Sequence, residues 1–161
     1  MKPFVVNLSF IIVLLLVVSC RNESSYYEQI SEKKTIISRI LDLNKSITEI
    51  RKQEKGKISK EGLDFISYEY PIGDNDSYAI SYQFDEKGCF EISFDSYFAI
   101  KEDAENVLEG FKTEITHSEF GAPTNDNNLY RWKNANESIS IELDYKNTDR
   151  GLLVLTIMAN A

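Results

Sequence analysis

From Tyr26 to about Gln53, the apolar residues Ile36, Ile40, Leu43, Ile47 and Ile50 recur at spacings of four and three, and Ile30, Ile37 and Leu41 widen the same stripe. That period puts them on one side of an α-helix. A continuous helix over residues 26–53 is about 40 Å long at 1.5 Å per residue. Only about two heptads are clean, so the stripe is expected to pack on the domain's own sheet and not on a coiled-coil partner. Past Gly56 and Gly62 the period changes to two. Residues 63–70 predict a strand that ends at Pro71 and the turn Gly73-Asp74-Asn75-Asp76. Tyr78, Ile80, Tyr82 and Phe84 alternate with Ala79, Ser81 and Gln83, which predicts a second strand with one apolar side. Asp85-Glu86-Lys87-Gly88 then forms a hairpin turn, and Phe90, Ile92 and Phe94 mark the apolar side of a third strand.

A second helix is predicted over residues 102–120, because Ala104, Val107, Leu108, Phe111 and Ile115 share a face and Gly121 and Pro123 stop it. Tyr130 and Trp132 mark a fourth strand, Ile139 to Tyr145 a fifth, and Leu153, Leu155 and Ile157 a sixth. Residues 80–94 and 139–157 echo one another, each an alternating strand, a polar turn with glycine and another alternating strand. The expected fold is α+β in the order α-βββ-α-βββ, with an antiparallel sheet of five to six strands carrying a long N-terminal helix and a second helix on one face.

The start of the chain follows a different logic. Met1-Lys2 gives a positive start, residues 4–18 are an apolar run, and Val17-Val18-Ser19-Cys20 closes it. The run is 15 residues long and holds Asn7 and Ser9, short of the roughly 20 apolar residues that cross a bilayer. Small and aliphatic residues leading into a cysteine resemble the lipobox of bacterial lipoproteins. The resemblance implies a signal peptide over residues 1–19, diacylglyceryl and acyl chains on Cys20, a tether over residues 20–25 and a single domain over residues 26–161. An ordinary secretory leader fits the length, but the small-x-small cleavage pattern is poorly met. Two or three acyl chains give stable anchoring, since each buried methylene contributes about 0.8 kcal/mol. Arg21 stands where an Asp resembles an inner-membrane retention signal, which favours the outer membrane of the cell envelope.

Removing 19 residues from 161 leaves 142, the size of one domain. The chain has 18 Lys+Arg and 26 Asp+Glu. The leader contributes only Lys2, so the mature chain carries 17 basic and 26 acidic residues, a net charge of −9. A surface so acidic excludes nucleic acid, whose phosphates are bound by Lys and Arg. Arg51, Lys52, Lys55, Lys57 and Lys60 form one basic stretch, as expected where a helix C-terminus attracts cations; the alternative is a patch against anionic head groups.

Catalytic chemistry is hard to assemble from these residues. Cys89 and His117 are the thiol and imidazole of the mature chain. Strand parity turns Cys89 away from the helices, and helical geometry sends His117 to solvent, so the two do not form a nucleophile and base pair. Zinc lacks convergent ligands. Asp74 to Asp76 and Asn125 to Asn128 are turn-formers without the spacing of a calcium loop. No cofactor is expected. Glu91, Asp95, Glu142 and Asp144 fall on the strand side opposite the apolar face. That side also shows Ser81, Gln83, Ser93 and Ser140, with Tyr97 and Trp132 as aromatic anchors.

The helix, the stop Phe120-Gly121-Ala122-Pro123, the Tyr130 and Trp132 strand and the following hairpin resemble small envelope α+β domains of the β-lactamase-inhibitor-protein kind. The likeness covers about 40 residues and carries no functional residues over. The expected function is therefore that of a lipid-anchored, non-enzymatic envelope protein. Its open sheet face, with Ser81, Gln83, Glu91, Ser93, Ser140, Glu142 and Trp132, is expected to bind another protein. The alternatives are a hydrolase using the open-face carboxylates and a binder of small apolar ligands between helix and sheet.

Overall fold

The computed structural model describes residues 24–160. The leader, Cys20 and the first part of the tether lie outside the described residues. Helices α1 (Tyr26–Lys33), α2 (Ile36–Ile40) and α3 (Ile47–Gln53) lead into a meander of β1 (Lys57–Glu61), β2 (Phe65–Ile72), β3 (Asp76–Asp85) and β4 (Gly88–Tyr97). Helix α4 (Lys101–Thr116) follows, then a second meander of β5 (Thr124–Asp126), β6 (Leu129–Lys133), β7 (Ile139–Asp144) and β8 (Leu152–Ala159), with a 3-10 turn at Thr148–Arg150 ahead of β8. All eight strands form one antiparallel sheet in the order β1-β2-β3-β4-β8-β7-β6-β5. The two hairpins that echo each other in sequence, β3–β4 and β7–β8, meet where β4 pairs with β8.

The α+β class and the antiparallel sheet are as expected, but the sheet has eight strands, not five or six. The two extra strands, β1 and β5, are its edges, and every residue in them is exposed. With nothing to bury, they show no alternation. Lys57 and Lys60 therefore stand on an edge strand, where charge discourages pairing with other chains; only Arg51 and Lys52 occupy the last turn of a helix.

The long N-terminal helix is replaced by three short ones. Ser25 and Ser46 each cap a helix through a reciprocal capping box, with Glu28 and Glu49 respectively, and the Thr35 side chain accepts from the Ser38 amide. Each cap starts a new helix where one was already running. Between them the chain is extended at Lys34 and left-handed at Asn44 (φ 65°). The 3.6 period survives these breaks because each piece returns its apolar side to the same sheet, so Ile30, Ile36, Leu43 and Ile50 are all buried.

Helix α4 buries Ala104, Val107, Leu108, Phe111 and Ile115, the predicted stripe. Phe111 meets Phe94 edge to face (4.9 Å), and Phe94 continues into stacked Tyr78 (5.0 Å) and Tyr70 (5.1 Å). This aromatic file ties α4 to β4, β3 and β2. Each large apolar side chain so buried contributes about 1.5–3 kcal/mol. Among the described residues all four helices lie on this side, and none covers the opposite face of the sheet.

Candidate binding face

Antiparallel register lines the uncovered face with transverse rows, one residue from each strand. One row is built on hydroxyls: Ser67, Ser81, Ser93 and Thr156 stand side by side on β2, β3, β4 and β8, followed by Glu142 and Arg131 on β7 and β6. Ser67 and Ser81 are hydrogen bonded at 2.8 Å, and Arg131 Nε donates to Glu142 at 2.8 Å. The next row brings together Gln83, Glu91, Met158 and Ser140, and Gln83 Nε2 donates to Glu91 at 2.6 Å. Thus Ser81, Gln83, Glu91, Ser93, Ser140 and Glu142, drawn from separate segments of the chain, share one surface.

Trp132 does not belong to it. Its partner across the strands is Ile141, its neighbour in the core, and it is 1% exposed on the helix-covered side. Strand parity requires this, since Arg131 and Lys133 are the β6 residues that face outward. Tyr97, by contrast, is 61% exposed on the open face and sits beside Leu152 and Val154. With Ala79, these three line a groove of about 390 Å³ flanked by Glu69 and Asp95. A second cleft of about 470 Å³ lies towards the other end of the face, between Arg131, Lys133, Glu137, Ser140 and Asn160.

The carboxylates that the alternative hydrolase reading would use are not placed to share a proton. Strand β8 separates Glu91 on β4 from Glu142 on β7, and each is engaged by a different neighbour, Gln83 or Arg131. Cys89 also departs from expectation. At the start of β4, Phe84 pairs with Cys89 while Gln83 pairs with Glu91, so Phe90 is an extra residue in the ladder. The bulge reverses parity and turns Cys89 into the core, where it is 1% exposed and burial pushes its thiol up to about 12. His117 caps α4 and is exposed, as its helical position predicts. The two residues are not brought together.

Two further polar clusters escaped the sequence. The first is buried between α2, α3 and the sheet. Arg39 Nη1 donates to Glu54 Oε1 (3.0 Å) and to the Tyr82 hydroxyl (2.9 Å); Tyr82 donates to the same Glu54 oxygen (2.6 Å), and the Tyr70 hydroxyl donates to the other. At its rim Asp42 accepts from Lys34 and Lys45, with the Tyr82 hydroxyl oxygen 3.3 Å away. Burial pulls the Arg39 guanidinium down, but Tyr82 and Glu54 outweigh it and hold it above its ordinary value. Burial raises Tyr82 far above a free phenol. One signal was present: Arg39 sits three residues from Ile36, inside the apolar stripe. The arrangement clamps the helices to the sheet. The second cluster is a cleft of about 820 Å³ at the end of the sheet beside Ser24, where Asp74, Asp76 and Asp103 face Asn106. Tyr26 donates to Asp76 (3.1 Å), as does the Ala99 amide (3.1 Å), and partial desolvation with the neighbouring charges of Asp76 and Glu102 raises the Asp103 carboxyl. Among the described residues, no group of three or more His, Cys, Asp or Glu side chains is placed to hold a metal ion, and no helix is long and apolar enough to cross a membrane.

No protein-family model, curated protein or solved structure matches the chain.

Proposed function

We propose that this chain is a lipid-anchored protein of the bacterial cell envelope, more specifically of the outer membrane, whose open sheet face binds another protein. The observation that carries the binding role is the asymmetry of the sheet: helices cover one side, while the other exposes Tyr97, Leu152, Val154 and Phe65 among ordered rows of hydroxyls and carboxylates. A rigid, hydrogen-bonded platform with an aromatic anchor loses little entropy on association. The lipobox-like Cys20 supplies the envelope location. From Cys20 to Ser24 the chain advances four residues, a reach of at most about 14 Å. Ser24 lies against the turn at Gly73–Asp76 and the loop at Ala99–Ile100, so that end of the sheet stands next to the lipid and the open face rises from the bilayer, accessible to a partner.

The test is crosslinking and capture from detergent-solubilised envelopes. Comparison is between the native chain, the open-face variant Ser93→Arg with Thr156→Arg, and the helix-side control Thr113→Arg. A stoichiometric partner recovered with the native chain and the control, but lost with the open-face variant, supports the reading. Equal recovery with all three, or no partner with any, rejects it. Mass spectrometry of the mature N-terminus checks the anchor separately, since an unacylated Cys20 removes it.

A further inference from the structure

The open face contains a row whose chemistry alternates across seven of the eight strands, from β2 to β5, with Lys57 on the edge strand β1 opposite Glu69 at its outer end. Glu69 on β2 pairs with Ala79 on β3, Ala79 with Asp95 on β4, and Asp95 with Val154 on β8. Val154 pairs in turn with Asp144 on β7, Asp144 with Leu129 on β6, and Leu129 with Asp126 on β5. Carboxylates therefore stand on every second strand, with an alanine, a valine and a leucine between them. These positions come from six separate pairings, so no local stretch of sequence displays the pattern. Alternate strands are about 9.6 Å apart, and the row spans about 29 Å.

None of the four carboxylates enters an ion pair among the described residues. Glu69 and Asp95 accept only from the hydroxyls of Ser77 and Ser93, and Asp144 from the Lys146 amide. Glu142, one row away, is already matched by Arg131. No Lys or Arg lies on β2, β3, β4 or β8, the four strands at the centre of this face. The groove beside Ala79 and Val154 is apolar, with Tyr97 and Leu152 as its far wall.

We infer that the partner of this face is a basic protein surface, in which Lys or Arg side chains lay their aliphatic stems on Ala79, Val154 and Leu129 and place their charged heads between the carboxylates of Glu69, Asp95 and Asp144. Long cationic side chains suit such a row because they cover apolar ground while keeping the charge at its rim. Opposite potentials select a partner and speed its encounter, and the acidic excess of the whole chain adds to the steering. A membrane surface is a poorer fit, because anionic head groups meet the carboxylates unfavourably.

This inference rests on the open-face reading and is tested apart from it. Three capped peptides of equal length, alternating Leu with Arg, with Ser or with Glu, are titrated by fluorescence anisotropy against the full lipidated chain in non-ionic detergent. Carboxyl-directed footprinting by mass spectrometry locates the bound peptide. The arginine peptide is expected to bind and protect Glu69, Asp95 and Asp144, with affinity falling as salt is raised. The triple variant E69Q, D95N and D144N, all at exposed positions, is expected to keep its melting temperature and lose at least tenfold in affinity. If the serine peptide protects the same row equally, the face stands and the charge preference falls. If the arginine peptide protects only Asp74, Asp76 and Asp103, binds the triple variant unchanged, or does not bind at millimolar concentration, the inference is overturned, while the open-face reading still answers to the capture experiment.

Discussion

Replacing Glu54 by Gln isolates what the buried charge pair contributes, because the amide keeps the shape and most of the hydrogen bonding and removes the charge. The side chains of Arg39 and Glu54 are 2% and 4% exposed, and their contact is 3.0 Å. After the substitution, the guanidinium keeps the Tyr82 hydroxyl and loses the carboxylate that neutralises it. Breaking a buried pair from one side costs about 3–5 kcal/mol, since the remaining charge stays desolvated. At about 3 °C per kcal/mol for a domain of this size, the melting temperature should fall by about 9–15 °C. The exposed pair Arg51–Glu61, with side chains 43% and 42% exposed, is the internal control, and Glu61→Gln should cost under about 1 kcal/mol. Urea unfolding followed by far-UV circular dichroism gives both values. Removing the cation as well, in Arg39→Met with Glu54→Gln, should recover stability relative to E54Q alone. A loss of under about 1 kcal/mol for E54Q, or a double variant less stable than the sum of its parts, would refute the clamp.

Three other outcomes follow from particular side chains. Burial, with the Glu54 hydrogen bond in the case of Tyr70, raises Tyr70 and Tyr78 from 10.0 to about 12. The folded chain therefore holds these protons more tightly than the unfolded chain. Stability should be complete below about pH 10 and decline as pH rises from 10 towards 12, measured by melts alongside phenolate absorbance; core tyrosines that ionise near 10 with the fold intact would contradict it. A Cβ on Gly151 (φ +76°) would lie 1.9 Å from the Phe98 carbonyl oxygen, whereas on Gly121 (φ +67°) it would meet nothing within 4 Å. Gly121→Ala should cost about 1–2 kcal/mol from conformation alone, and Gly151→Ala clearly more, with equal melting points as the opposing result. Cys89 should resist alkylation in the native chain and react once urea unfolds it, and rapid native labelling would show that the bulge does not bury it.

What the sequence revealed depended on whether a residue's burial left a trace in the spacing of its neighbours. The central strands and α4 did leave one, and their apolar sides were legible down to Tyr78, Ile80, Tyr82 and the Ala104-to-Ile115 stripe. The edge strands had no trace to leave. Residues Lys57 to Glu61 and Thr124 to Asp126 bury nothing, and their place is fixed by backbone pairing with β2 and β6. The three N-terminal helices were written in the Ser25–Glu28 and Ser46–Glu49 capping pairs, but a continuous apolar period masked them. Parity failed for Cys89 because a single extra residue, Phe90, reverses it. For Trp132, parity pointed to the core from the start, since Tyr130 and Trp132 alternate with Arg131 and Lys133.

The candidate face shows the same division more sharply. Alternation alone put Ser81, Gln83, Glu91, Ser93, Ser140 and Glu142 on the polar side of their strands, and the structure places all six on one surface. Alternation does not say which strand lies beside which. The junction of β4 with β8 joins segments about 60 residues apart, and it sets Asp95 next to Val154 and Ser93 next to Thr156. Without that junction the Glu69, Ala79 and Asp95 of the first meander are unrelated to Asp144 of the second; with it they become one row, with apolar steps between the acids. The proposed preference for a basic partner is thus a property of register: a slip of one residue between β4 and β8 would turn Val154 and Asp144 to the covered face while Glu69 and Asp95 kept theirs, and so erase the row, although every residue of the chain stayed the same.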